Sequence, residues 1–241
     1  MLYKTRGIVL NSLPYSDKYA ITLIFTEEFG RALYLTSQSK SRRSNVPRSL
    51  FHPLAILDIE AEHKNLRDIH RIKEIKIHTP LFSLLTDPVK STLSIFLAEL
   101  ISKVIREEQA NRLLFDYLLH SIQVLELTKV SPSNFHLVFM IHLCRFLGIY
   151  PDSTCYQKGM YFDMLNGIFS INKPVHNHFL SQQECFALFN LMRISYVNMH
   201  KFRLSSRERQ VIINRILEYY RIHLGDYPEI KSFGVLHNVF S

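Results

Sequence analysis

Apolar and polar positions alternate in short runs through the first 80 residues. The runs Leu2 to Leu10, Tyr19 to Thr26, Arg31 to Thr36, Leu54 to Ala61 and Ile69 to Ile77 are rich in β-branched and aromatic residues. A period of two puts successive side chains on opposite faces of a strand, so five strands are predicted. Pro14-Tyr-Ser-Asp17 supplies the first turn and Glu28-Phe-Gly30 a tight hairpin; the longest connection lies between the third and fourth strands. Five strands with one long loop suit a small barrel of the OB type, with an SH3-like barrel as runner-up.

The pattern changes at Thr79-Pro80. Asp87-Pro88 offers an N-cap followed by proline at the first helical position, and Leu93, Phe96, Leu97, Leu100, Ile101, Val104 and Ile105 recur at helical spacing. Asn111 can cap a second helix through Leu114, Leu118, Ile122 and Leu125, and Ser131-Pro132 opens a third that stops near Gly148. Ser181-Gln-Gln-Glu184 and Ser205-Ser-Arg-Glu208 both fit the capping box, which predicts helices near 182–196 and 206–223. Strands followed by helices give an α+β chain: a five-stranded OB-fold barrel over 1–80 and an all-α domain over 81–241.

The 241 residues carry a formal net charge of +8 and are 47% hydrophobic, enough for a full core and an anionic partner. The cation excess concentrates in the first third. Between Glu28 and Asp58 there is no acid, yet Arg31, Lys40, Arg42, Arg43 and Arg48 stand among Ser, Asn and Pro. Such a stretch repels itself and calls for an external polyanion, most simply the phosphates of nucleic acid. Single-strand binders add aromatic platforms, and Tyr15, Phe29, Tyr34 and Phe51 flank this region, Tyr15 in a turn and the others at positions that also suit a core. A second cationic cluster, Lys201, Arg203, Arg207, Arg209, Arg215 and Arg221, is opposed only by Glu208 and Glu218. Arg207, Arg209 and Arg215 are its candidate DNA contacts, against a plain solvated face as the alternative.

Other chemistry finds little footing. The opening Met-Leu-Tyr-Lys-Thr-Arg-Gly lacks the apolar stretch of a secretion signal, and no apolar run reaches the ~20 residues of a membrane span, so a soluble cytoplasmic protein is expected. Cys144, Cys155 and Cys185 are irregularly spaced and odd in number, which fits free thiols. No Gly-rich phosphate loop, nucleophile elbow, His-Glu-x-x-His or clustered acid set appears, so no enzyme is expected.

Taken in order, several segments resemble the RecO family of bacterial recombination mediators. They are Thr5-Arg-Gly-Ile-Val-Leu10, Tyr15-Ser-Asp-Lys18, Leu23-Ile-Phe-Thr26, Phe29-Gly-Arg31 and the basic stretch Lys40-Ser-Arg-Arg43 leading to Phe51-His-Pro-Leu54. Leu143-Cys-Arg-Phe-Leu-Gly-Ile-Tyr-Pro-Asp152 is similar to a later landmark, as are Tyr161-Phe-Asp163, Gly167-Ile-Phe169 and Leu217 to Leu224 with Lys231-Ser232. The resemblance implies an N-terminal OB-fold, a helical C-terminal domain, binding to single- and double-stranded DNA and annealing of complementary strands. It also implies help in loading RecA onto DNA coated by single-strand-binding protein (SSB), together with RecR, and a site for the SSB tail on the helical domain. Several members of the family hold zinc with four cysteines after the Gly-x-x-Pro segment. Here Cys155 has no partner at Lys158, so the segment near 150–180 is expected to be zinc-free, with no metal and no cofactor. The rival function is an RNA-binding OB module with a helical regulatory domain, which would use the same cations and aromatics.

Overall fold

A computed structural model describes residues 2–37, 48–63, 67–106, 108–225 and 227–239, the side chains of 48, 49 and 237–239 excepted. The chain forms two compact units, Met1–Leu127 with Ile230–Phe233, and Thr128–Glu229 with Gly234–Ser241.

The first unit begins with five strands: β1 (Leu2–Pro14), β2 (Tyr19–Thr26), β3 (Gly30–Ser37), β4 (Ile56–Glu62) and β5 (Ile69–Thr79). They close into a barrel in the order β1-β2-β3-β5-β4, with β3 and β5 parallel and the other neighbours antiparallel. This is the five-stranded barrel that the alternation predicts. β1 serves two neighbours: its first half pairs with β4 and its second half with β2, the change falling at Gly7, which faces Leu57 on one side and Thr26 on the other. A β-carbon at Gly7 would lie 2.6 Å from Ile24 and 2.8 Å from Ile59, so closure there needs the absence of a side chain. Gly30 turns the β2–β3 hairpin with φ of +61°, a conformation that glycine adopts at no steric cost.

Val9, Ile24, Tyr34, Phe51, Leu57, Ile59 and Ile75 fill the barrel. Three inward hydroxyls satisfy one another there. Ser12 pairs with Thr22 at 2.9 Å, Thr22 with Thr36 at 2.9 Å, and Thr36 donates to the Ala20 carbonyl at 3.2 Å.

Three helices complete this unit: α1 (Phe82–Thr86), α2 (Pro88–Val104) and α3 (Arg112–Leu127). Asp87 caps α2 by accepting from Val89 and Lys90, with Pro88 in the first turn, and Asn111 accepts from Leu114 at the start of α3. Phe25 on β2 stacks on Phe115 of α3 at 6.3 Å. Arg6 on β1 makes a two-pronged bond to Glu27, at 2.8 and 2.7 Å, and lies 3.9 Å from Asp116 of α3. By packing, therefore, the first three helices group with the barrel.

The second unit holds α4 (Phe135–Phe146), a small sheet of β6 (Tyr161–Asp163), β7 (Ile168–Ser170) and β8 (Phe179–Leu180), then α5 (Gln182–Arg193), α6 (Ser206–Leu224) and most of α7 (Phe233–Val239). α4 is buried on almost every face, which suits its nearly continuous apolar sequence. Ser181 and Ser205 each complete the capping box with Glu184 and Glu208. Tyr220 anchors α6 by donating to the Met140 carbonyl at 2.6 Å. In the segment near 150–180, Cys155 is exposed and the histidines pair with carboxylates: His176 lies 3.3 Å from Asp163, and His178 lies 3.1 Å from Glu218. Among the described residues no three His, Cys, Asp or Glu side chains gather as ligands of one metal ion.

Candidate nucleic-acid interface

Alternation along β1, β2, β3 and β5 turns one set of side chains to an outer face of the barrel, and strand register fixes their order. Leu13 faces Ile21, Ile21 faces Leu35, and Leu35 faces Arg71; in the next row Asn11, Leu23, Leu33 and Ile69 stand side by side, Leu23 itself being buried. Tyr19, at the start of β2, sits opposite Ser37, the last described residue before the basic run that opens at Lys40. The face is therefore an aliphatic strip with tyrosines at one end. Lys18, Arg67, Arg71 and Lys73 are exposed around it, alongside Asp17 and Asp68, and Lys73 lies 3.6 Å from Glu62.

The residues singled out from sequence fall into three groups. Arg31 is half-buried on β3, opposite Phe25, and Tyr15 is exposed in the turn after β1. Lys40, Arg42 and Arg43 lie outside the described residues, and of Arg48 only the backbone is described, at the start of a short 3-10 turn ending at Phe51. The α6 cations are not brought together. Arg207 is exposed in the first turn, whereas Arg209 is half-buried and donates to the Leu204 carbonyl at 3.0 Å and to Asn134 at 3.5 Å, with burial lowering its pKa. Arg215 bonds Glu184 at 2.8 Å and Glu218 at 3.0 Å, and the Glu184 hydrogen bond chiefly raises its pKa. Arg209 and Arg215 are thus engaged inside the second unit.

The aromatics divide as sharply. Tyr34 and Phe51 are buried in the barrel core. Phe29 stacks on His63 at 3.8 Å and His63 on His70 at 3.6 Å, while Tyr34 lies 5.8 Å from His70. Burial lowers the pKa of both histidines, that of His63 to about 4, so the column is neutral at physiological pH. Only Tyr15 of the four flanking aromatics is free for contact. Tyr19, Arg71 and Lys73 were not singled out from sequence; the signal for them was their outward parity on β2 and β5.

Comparison with known proteins gives a family for both halves of the chain. A family model described as Recombination protein O N terminal matches residues 1–81, and one described as Recombination protein O C terminal matches residues 85–232. Proteins named DNA repair protein RecO are similar over the full length of both chains: 50% identical in Azobacteroides pseudotrichonymphae genomovar. CFP2, 44% in Phocaeicola vulgatus and 36% in Porphyromonas gingivalis. With both halves matched in order and full-length relatives well above 30% identity, the chain belongs to the RecO family of DNA repair proteins.

Proposed function

We propose that the protein is a non-enzymatic recombination mediator: it binds single- and double-stranded DNA, anneals complementary strands, and with RecR assists RecA loading on SSB-coated DNA. The observation that carries this reading is the full-length similarity to proteins named DNA repair protein RecO. Physically, cations on and beside the barrel offset the repulsion between two phosphate backbones, and base pairing itself supplies the sequence specificity. Arg31, Lys40, Arg42, Arg43 and Arg48 are the first contacts in this scheme, joined by Tyr15 and by Arg207 of the second unit. If Lys40, Arg42, Arg43 and Arg48 each neutralise one phosphate, the single-strand salt slope is about −2.8, roughly a 50-fold loss of affinity from 50 to 200 mM salt.

For the SSB tail, acidic and apolar, the supporting feature is Arg215 beside a narrow apolar crevice of about 20 Å³ in the second unit, lined by the buried Phe162, Leu180, Ile212, Ile216 and Tyr219, which a tail would have to widen. A tail carboxylate there would compete with Glu184 and Glu218 for the guanidinium. The domain division 1–80 and 81–241, and a cytoplasmic place of action at the nucleoid, belong to the same proposal. No helix among the described residues is long and apolar enough to cross a membrane.

The test is annealing of complementary oligonucleotides, with and without the protein, at 50 and 200 mM salt. Acceleration at low salt that fades at high salt is expected, and absence of acceleration at low salt overturns the reading. Competition between DNA and RNA strands separates the RNA-binding alternative, because an RNA reader exploits the 2′-hydroxyl.

A further inference from the structure

The turn between β1 and β2 is short and closed by its own backbone. The N–H groups of Tyr15 and Ser16 both reach the Tyr19 carbonyl at 2.9 Å, and Tyr19 N–H returns to the Ser16 carbonyl at 3.3 Å. Both tyrosines are thereby fixed at the ends of one rigid turn, 68% and 44% exposed. Ala20, the next residue, is buried in the barrel, so parity sends Tyr19 outward with Ile21. Leu13, 60% exposed, faces Ile21 across the strands and continues the surface towards Leu35 and Arg71. Two aromatic rings thus head a strip of aliphatic side chains, with Lys18 beside them and Arg71 and Lys73 at its far border. In the described barrel the other large aromatics are occupied: Tyr34 and Phe51 in the core, Phe25 against Phe115, Phe29 against His63, and Tyr3, 39% exposed, edge-on against Phe29.

We propose that Tyr15 and Tyr19 form a stacking platform for unpaired nucleobases, and that this platform makes the outer barrel face a single-strand site that does not engage duplex. The inference rests on the DNA-binding reading above and adds to it the residues that distinguish the two forms. An exposed aromatic face gains by covering a base, and every base offers a π-face, so such binding is tolerant of sequence. Duplex DNA hides those faces within its own stack and offers only phosphates to the same surface. The aliphatic strip from Leu13 to Leu35 can follow the bases, while Lys18, Arg71 and Lys73 border it where the phosphates would run. The occupant fits in sign, because Lys18, Arg67, Arg71 and Lys73 stand around the strip against Asp17, Asp68 and Glu62, and the basic run from Lys40 to Arg48 follows Ser37 in the chain.

The experiment compares three ligands of equal length with the full chain: a 20-nucleotide mixed-sequence strand, a base-free (abasic) strand and a duplex. Wild type should prefer the base-bearing strand over the abasic one. Tyr15→Ala with Tyr19→Ala should weaken the base-bearing strand by roughly 25-fold, about 5-fold for each ring, and leave abasic and duplex affinities unchanged. The salt slope should stay as in wild type, since no cation is lost. Tyr15→Phe with Tyr19→Phe keeps both rings and should bind as wild type. The proposal fails if the double alanine variant binds the base-bearing strand normally, or if it loses affinity equally for all three ligands. Failure of wild type to bind any of them instead removes the DNA-binding reading itself.

Discussion

Ser232 donates both its backbone N–H, at 2.8 Å, and its hydroxyl, at 2.5 Å, to the same carboxylate oxygen of Glu99, across 133 residues of chain. The other oxygen accepts from Lys231 N–H at 3.0 Å and from the Lys103 ammonium at 2.5 Å. Burial alone would raise the Glu99 pKa, but the donors from Lys103, Ser232 and Lys231 override it and hold the carboxyl at about 2. The segment Ile230–Phe233 therefore belongs to the first unit through a charge-assisted clasp on α2. Ser232→Ala should cost about 1.5 kcal/mol and Glu99→Ala about 3 kcal/mol, because the latter leaves two backbone donors without an acceptor. Urea unfolding checks both values, and a Ser232→Ala midpoint equal to wild type would show that the hydroxyl adds nothing. Since the folded pKa is depressed, this contribution is complete above about 4.5 and is lost as pH falls towards 2.

Histidine burial predicts a second acid sensitivity, which sets in at a higher pH. The His63 pKa lies at about 4 and that of the fully buried His136 at about 3, both lowered mainly by desolvation, and His70 is lowered in the same direction. An unfolded chain binds protons on these groups near pH 6.5 while the folded chain does not, so stability should fall as pH drops from about 6.5 towards 4. His63→Phe keeps a ring between Phe29 and His70 and removes one of the protonation sites. Its urea midpoint should vary less over that window than the wild-type midpoint. An unchanged pH profile would place the sensitivity elsewhere.

What the sequence revealed depended on whether a feature was written locally. The five barrel strands were legible because parity is a property of neighbouring residues, and α2, α5 and α6 were legible because Asp87, Ser181 and Ser205 each carry their own cap. α1 was not, for its cap is remote: Glu126 accepts the N–H groups of Ser83 and Leu84 from more than 40 residues away. The sheet of β6, β7 and β8 escaped because strands of three, three and two residues show no period. The same distinction governs the candidate site. The basic run declares itself by the absence of acids, whereas the engagement of Arg209 by Asn134 and of Arg215 by Glu184 depends on partners 75 and 31 residues distant. A register shift beside Lys73 on β5 hid the outward cations of that strand.

The Arg6–Glu27 pair ties the β1 strand to the end of β2 at the point where Gly7 changes partners. The hydrogen bond between them chiefly raises the Arg6 pKa and lowers that of Glu27, and the guanidinium also lies 5.4 Å from the Phe115 ring. Both side chains are only partly shielded, so the charge contribution is modest, but the fork geometry and the lost packing add to it. Arg6→Ala should cost about 1–2 kcal/mol, and Arg6→Lys should recover less than half because an ammonium cannot make the two-pronged bond. The measurement is a double-mutant cycle with Glu27→Gln in urea unfolding at two salt concentrations. A coupling energy of zero at low salt would show that the pair does not stabilise the barrel.

The two cationic regions make unequal demands on a charge-reversal experiment. Arg42→Glu with Arg43→Glu should lower single-strand affinity and reduce the magnitude of the salt slope by about 1.4, two phosphate contacts at 0.7 each. On α6 a fair counterpart is Arg207→Glu alone. Arg209 donates to the Leu204 carbonyl from a half-buried position, so Arg209→Glu would set a carboxylate against a carbonyl oxygen and cost about 2–3 kcal/mol of stability. A loss of DNA binding in that variant would report on folding as much as on contact. The Arg207 substitution, exposed in the first turn of a capped helix, should leave the unfolding midpoint within about 0.5 kcal/mol of wild type. With folding thus controlled, titrations across salt rank the regions. The larger slope change is expected for the pair at 42 and 43, and a larger change for Arg207→Glu would move the principal DNA track to the second unit.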